Sequence, residues 1–275
     1  MVELRGENQI EKFKGIAQKL VSRIISFKGV TGVIFIGGLV RGFADKYSDV
    51  DILVFLGKKD ENLRKQLRKI GASEQERSRV DIDLEVHFLQ DFSKQKWDEM
   101  SRWDFSHAEI VYDPKVKIKK LFNEKLRIPK NFWIKRIVVY SEYLKWYCCP
   151  PEENLETMVD AWVARGDLIS AHYCVNYAFD LTLCVLFALN KEFLPPQKWR
   201  IFYSHSLKWL PQGYRKLVEE TMAVKNFSAR DLNRRLRALR TMWQQILPKL
   251  KSETGLTPEL ISKYYVEKVL HQAPP

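Results

Sequence analysis

Apolar positions along the first 130 residues alternate between two periods. Ile10, Phe13, Ile16, Leu20, Ile24 and Ile25 recur at helical spacing and predict an amphipathic helix over residues 8–27. Val33-Ile34-Phe35-Ile36 is a short apolar strand that stops at Gly37-Gly38, and Val50 to Leu56 is a second strand. Asp60 to Ile70 reads as a charged helix ended by Gly71. Val80 to Leu89 is a third strand, in which acidic and apolar side chains alternate. A short helix over Ser93 to Met100, a strand from Ala108 to Tyr112 and a helix from Pro114 to Leu126 complete this half.

Beyond Pro129 the period of two disappears. Phe132 to Tyr147 is helical, and Pro150-Pro151 breaks the chain. Leu155 to Asn190 is a long apolar helical stretch with a kink expected at Gly166, ended before Pro195-Pro196. Ser228 caps a helix to Leu247, and Thr257-Pro258 opens a last one ending near Leu270. The pattern predicts an α+β fold in two domains. A small mixed sheet with helices fills residues 1–128, and an all-α bundle fills residues 129–275.

Composition narrows the picture only modestly. Of 275 residues, 45% are hydrophobic and 29% charged, the balance of a globular chain with a sizeable core. No apolar run reaches membrane-span length, and the first residues lack the order of a signal peptide, so a cytoplasmic protein without a membrane partner is expected. Cys148, Cys149, Cys174 and Cys184 have no metal-ligand spacing and read as buried thiols. The net charge of +12 favours anionic partners. Much of it falls in helical runs such as residues 233–240, where a solvated face is expected, and no nucleic-acid-binding motif accompanies it.

Three segments carry candidate chemistry. Gly37-Gly38-Leu39-Val40-Arg41-Gly42 follows a strand directly, which lets the backbone approach a ligand and turn its N–H groups on phosphate oxygens. In Ser48-Asp49-Val50-Asp51-Ile52-Leu53, strand alternation puts Asp49 and Asp51 on one face and Val50, Ile52 and Val54 on the other. Paired carboxylates at a strand entry repel each other, and a divalent cation between them would offset that repulsion. Val80 to Phe88 places Asp81, Asp83, Glu85 and His87 on one face of the next strand, from which a third carboxylate would complete a two-metal site.

This order of strand, Gly-Gly, Asp-x-Asp strand and later carboxylate strand resembles the polymerase-beta-type nucleotidyltransferase superfamily, above all its kanamycin (aminoglycoside) nucleotidyltransferase group. The likeness covers residues 30–150 well and rests on Ile36 to Leu56, Leu84-Glu85-Val86-His87-Phe88 and Ile110-Val111-Tyr112-Asp113. It implies transfer of a nucleoside monophosphate from an NTP, with ATP expected, to an acceptor hydroxyl. It also implies two Mg²⁺ held by Asp49, Asp51 and Glu85, with phosphates over Gly37, Gly38, Arg41 and Ser48. Ser141-Glu142-Tyr143-Leu144-Lys145 resembles the helix that supplies that group's catalytic glutamate and phosphate-binding lysine, one residue shorter between them. Glu142 is thus the expected base and Lys145 a phosphate contact, with Asp160 and Asp167 next in line for the base. A homodimer with a shared cleft is implied as well, Glu142 facing the carboxylates across it.

Two departures bear on this. Gly38 stands where the group usually has serine, and a net charge of +12 suits a polycationic aminoglycoside poorly. The acceptor is therefore left unidentified, a small molecule such as an aminoglycoside-like compound being the expectation, and a degenerate non-catalytic nucleotide-binding or antitoxin-like partner protein is the alternative.

Overall fold

The computed structural model describes residues 4–152 and 155–270, in two compact units that divide between Arg127 and Ile128. In the first, α1 (Ile10–Ile24) leads to a sheet of β1 (Val30–Phe35), β2 (Val50–Leu56), β3 (Ile82–Phe88) and β4 (Glu109–Tyr112). The sheet order is β3-β2-β1-β4, mixed as the sequence predicts. Only β2 and β3 run parallel, joined across α3 (Glu61–Ser78). A parallel neighbour requires such a crossover, and α3 covers the sheet face it packs on. Val33, Phe35, Ile52, Val54 and Val86 face that side with α1 and α3. Ile34, Leu53 and Phe55 face the other, packed with Phe92, Trp97 and Phe122.

The helix over residues 60–70 does not end at Gly71. Asp60 caps it as expected, accepting from the Leu63 N–H at 2.9 Å, but α3 runs on to Ser78. Gly71 is a packing residue: a Cβ there would lie 3.1 Å from the Leu84 Cβ, so its absence seats α3 against β3. The helix expected over residues 93–100 is also misplaced. Residues on either side form α4 (Leu89–Lys94) and α5 (Glu99–Ser106), the latter capped by Asp98, which accepts from Ser101 N at 2.7 Å. A one-turn helix, α2 (Gly37–Arg41), follows β1, and α6 (Lys117–Lys125) follows β4.

The second unit is all helical: α7 (Phe132–Tyr147), α8 (Met158–Ala164), α9 (Leu168–Leu189), α10 (Gln197–Ser204), α11 (Tyr214–Met222), α12 (Ala229–Thr254) and α13 (Pro258–Tyr265), the last continued by a π turn to Leu270. The kink expected at Gly166 is a full break between α8 and α9. The long apolar stretch becomes the central α9, and α7, α8 and α12 pack around it. By length and composition α9 would span a membrane, but 78% of its most apolar window is buried inside the unit. All four cysteines are buried and none forms a disulfide. The solvated face expected over residues 233–240 needs correction too, because Arg235 is fully buried there.

Candidate active site

The carboxylates of the first unit gather where β2 and β3 begin. β2 pairs with β3 in the register Asp51↔Asp83 and Leu53↔Glu85, so Asp51 and Asp83 sit side by side on one sheet face. Asp49 lies one alternation earlier on that face, in hydrogen-bonding contact with Asp51. Burial, then the negative charge of Asp49, push the Asp51 carboxyl up to about 6, against the pull of Arg41 and with a further push from Asp83. Asp83 is also raised, by burial first and then by Glu85 and Asp49.

Glu85 behaves differently. It accepts a hydrogen bond at 2.8 Å from His87 Nε2, two residues on, and that bond, more than any other influence, lowers its pKa. Arg68 adds a smaller pull in the same direction. Of the acids on β3, then, Asp83 is the one in electrostatic contact with both Asp49 and Asp51. The strand pattern places both acids on the right face, but the register that sets Asp83 beside Asp51 has no trace in local sequence.

Gly37 lines the other side of the cluster. Its φ is +63°, and a Cβ on it would fall 1.6 Å from the Asp51 Oδ2. No other residue type leaves room for the carboxylate there. Ile36 N–H donates to the Asp51 carbonyl at 3.3 Å, which ties the end of β1 to β2 at this point. Gly38 is approached from another direction: a Cβ would lie 3.3 Å from the Phe43 carbonyl oxygen, a contact that a serine there would have to relieve.

Arg41 closes α2. Its guanidinium is 3.6 Å from the Asp104 Oδ1 and lies over the Trp103 ring at 5.5 Å. Asp104 on α5 is a partner that the sequence gives no reason to expect. The Ser48 hydroxyl donates to Asp45 Oδ1 at 3.2 Å and accepts from Asp45 N–H at 3.0 Å. It closes the turn that delivers Asp49 to the strand.

In the helical unit, Glu142 and Lys145 share a face of α7, as their spacing predicts. Lys145 Nζ is 3.0 Å from Glu142 Oε2, and only 9% of the lysine side chain is exposed. Ser262 of α13 bonds to both, donating to Glu142 Oε2 at 3.0 Å and contacting the Lys145 Nζ. It lies 120 residues from Glu142 and had no signal in the sequence. Asp160 accepts from the Thr157 N–H and hydroxyl at 2.8 and 2.6 Å, forming the capping box of α8. Asp167 caps α9 through the Ser170 N–H and hydroxyl at 3.0 and 2.6 Å. Both are thus committed to helix starts. Asp180 pairs with Arg200 at 2.5 Å, and His172 meets Arg235 in the core.

Among curated proteins none matches the chain by sequence. In solved structures it is similar to a nucleotidyltransferase-like protein from Exiguobacterium sibiricum, at 10% identity and a TM-score of 0.42 over 87% of this chain and 77% of that one. A spectinomycin adenyltransferase from Enterococcus faecialis, with ATP and spectinomycin, aligns at 12% identity and TM-score 0.34 over 88% of this chain and 99% of that one. A HEPN toxin–MNT antitoxin complex from Shewanella oneidensis aligns at 11% identity and TM-score 0.31, over 48% and 98%. Residues 11–139 match the nucleotidyltransferase domain family, a span that takes in the glycine turn and every carboxylate of the cluster. Over those residues the chain is similar to the nucleotidyltransferase domain family.

Proposed function

We propose that the chain is a Mg²⁺-dependent nucleotidyltransferase, which moves a nucleoside monophosphate from an NTP to an acceptor hydroxyl and releases pyrophosphate. The observation that carries this reading is the crowding of Asp49, Asp51 and Asp83 against Gly37, with Asp51 held near 6. An acidic group kept above its ordinary range by burial, and then by its neighbours' charge, is stabilised by a cation that joins them.

The residues fit Mg²⁺. The donors are all carboxylate oxygens, and the family match adds a domain built for phosphate substrates. Among the described residues no three His, Cys, Asp or Glu side chains are arranged to hold a metal unaided. That agrees with the habit of Mg²⁺, which takes one or two protein carboxylates and completes its shell with phosphate oxygens and water. Asp49 and Asp51 would hold it together with a β3 acid, for which Glu85 would first have to release His87. When bound, the metal supplies charge neutralisation at the phosphates and the attacking oxygen.

The remaining steps belong to side chains of this protein. The Gly37 and Gly38 backbone and the Arg41 guanidinium would hold the triphosphate, with Ser48 fixing the strand entry. Glu142 would take the proton of the acceptor hydroxyl, whose oxygen bonds to the α-phosphorus as the bond to the bridging oxygen of pyrophosphate breaks. Lys145 would offset charge on the phosphates.

The test is to incubate the protein with labelled NTPs in Mg²⁺ or in EDTA. Small hydroxyl compounds, aminoglycosides, RNA ends and protein hydroxyls are offered as acceptors, and pyrophosphate is followed. Release in Mg²⁺ alone, abolished by Asp51→Asn, supports transfer. Calorimetric binding of Mg·ATP with no release against any acceptor replaces it with the non-catalytic binding protein, a reading that Gly38 in place of serine favours.

A further inference from the structure

Five arginines lie between residues 230 and 240 of α12, and the fold uses them in two different ways. Arg234 is bound at 2.9 Å to Asp231 and at 2.6 Å to the Glu220 carbonyl. Arg235 is buried outright, donating to the Thr221 carbonyl at 2.6 Å and to His172 at 2.8 Å. Both are consumed within the unit.

Arg230, Arg237 and Arg240 are not. They follow one another at seven and three residues on one face of the helix, spread over about 15 Å at 1.5 Å per residue. This face lines two adjoining concavities, of about 950 and 530 Å³, which share Arg237 and Arg240. Arg240 donates its Nε to the Cys148 carbonyl at 2.8 Å, which fixes the guanidinium in place. Among the described residues no ion pair within 4 Å engages any of the three. Of the described carboxylates at the larger concavity, Asp160 is held in its capping box and Glu156 is exposed, and both oppose the arginine charge there. Two amides stand among the arginines, Asn233 in the smaller concavity and Gln244 in the larger, while Gln245 beside them is bound to the Gln212 backbone.

We propose that this arginine face is a binding groove for single-stranded nucleic acid. Three fixed or poised guanidinium groups along a groove track a phosphate backbone, and the neighbouring amides offer donors and acceptors to bases. The charges extend along more than two turns of helix, further than a single nucleotide needs. They also lie within concavities, which a flexible strand enters and a stiff duplex does not. The chain's net charge of +12 adds a long-range attraction for the same ligand.

The test is fluorescence anisotropy of the full-length protein with a labelled 15-nucleotide single-stranded RNA, in EDTA, from 50 to 300 mM KCl. Without Mg²⁺ no transfer takes place, so this result and the failure of nucleotidyl transfer are read separately. Arg230→Gln, Arg237→Gln and Arg240→Gln together are expected to weaken binding at least about tenfold at 100 mM KCl. They should also flatten the slope of log K against log salt by about 2, at about 0.7 per phosphate contact. Lys12→Gln, Lys19→Gln and Lys28→Gln remove the same charge from the first unit and are expected to change affinity less than about twofold. Because Arg240 also holds a carbonyl, the pair Arg230→Gln, Arg237→Gln repeats the measurement with the fold left intact, and should flatten the slope by more than about 1. Equal binding of single-stranded DNA supports reading of the backbone. Loss of the same size in the lysine variant, tighter binding of duplex RNA, or saturation by pyrophosphate with no RNA bound each overturns the proposal.

Discussion

The two charged clusters of this protein are built on opposite principles. Asp49, Asp51 and Asp83 repel one another at the head of a parallel strand pair, and only Arg41 works against that repulsion at Asp51. Glu142, Lys145 and Ser262 satisfy one another within 3.0 Å across two helices. The first cluster is disfavoured by burial and by its own charges, and should gain on meeting a cation. The second is complete as it stands and loses by any change. Charge alone does not say how a cluster responds to losing a carboxylate: the distinction lies in whether the fold supplies the counter-charge. Neutralising one carboxylate in each cluster should therefore shift stability in opposite directions.

Asp51→Asn tests the first cluster and should give the largest effect. Transfer activity is expected to fall by at least about a thousandfold, measured as labelled NMP incorporation, since a carboxylate proposed to hold the Mg²⁺ is lost. Stability should rise at the same time. The folded pKa of Asp51 lies about 2 units above the ordinary 3.8, so the folded state binds the extra proton between these values. The favourable contribution is present below about pH 4 and lost as pH rises through about 6. At pH 8 without Mg²⁺ the asparagine variant should therefore unfold with up to about 3 kcal/mol more resistance in urea, at 1.36 kcal/mol per unit. Mg²⁺ should stabilise the parent protein at that pH and leave the variant unchanged. A variant less stable than the parent at pH 8 would show that the cluster is not frustrated.

Glu142→Gln tests the second. With the base role proposed above, kcat is expected to fall by about a hundredfold or more, with KM for the nucleotide little changed. Stability should fall here, by about 2 kcal/mol, because Lys145 is left largely buried beside a neutral amide. Adding Lys145→Met should recover part of that stability and none of the activity. Unchanged kcat with the predicted loss of stability would make the pair purely structural.

A smaller contrast lies within the first cluster itself. Asp83→Asn should lower activity by tens of fold and Glu85→Gln by only a few fold, because Asp83 stands beside Asp51 in register and Glu85 is engaged by His87. The reverse ranking, measured at saturating Mg²⁺, would assign the β3 ligand to Glu85, with its pairing to His87 given up on metal binding.

What could be seen in advance follows from the range of the interactions. Strand alternation put Asp49 and Asp51 opposite Val50, Ile52 and Val54, and the structure has that arrangement because one face is buried under α1 and α3. Phe132 to Tyr147 was legible to its ends, since α7 is stopped by the same Cys-Cys-Pro-Pro break that the sequence displays. Gly71 misled because a glycine that ends a helix and one that seats it on a strand look the same without the strand. Arg235 misled for a related reason: its partners His172 and Asn176 are some 60 residues away, and a run of arginines carries no mark of which one turns inward. Register and long-range pairing, as with Asp83 and Ser262, are set by tertiary packing and leave no local periodicity.

The smallest effect is expected at Gly38, in the glycine turn beside the carboxylate cluster. Serine there restores the hydroxyl that the nucleotidyltransferases this chain resembles carry. Its Cβ would start 3.3 Å from the Phe43 carbonyl, so the loop after α2 must give by a few tenths of an ångström. Gly42, at φ +78°, sets the position of that carbonyl and has open space around it. The backbone entropy saved by replacing a helical glycine, about 0.5 to 1 kcal/mol, works in the opposite direction. The two terms leave stability within about 1 kcal/mol of the parent by thermal denaturation. If the first cluster is an NTP site lacking one phosphate donor, Gly38→Ser should tighten Mg·ATP binding several-fold by calorimetry, about the worth of one hydrogen bond to a charged group. The Glu142–Lys145–Ser262 cluster, already satisfied, should show no response to the change. Unaltered nucleotide affinity in a folded variant would mean that the phosphates are held by the backbone and Arg41 alone, and that the glycine is no defect in the site.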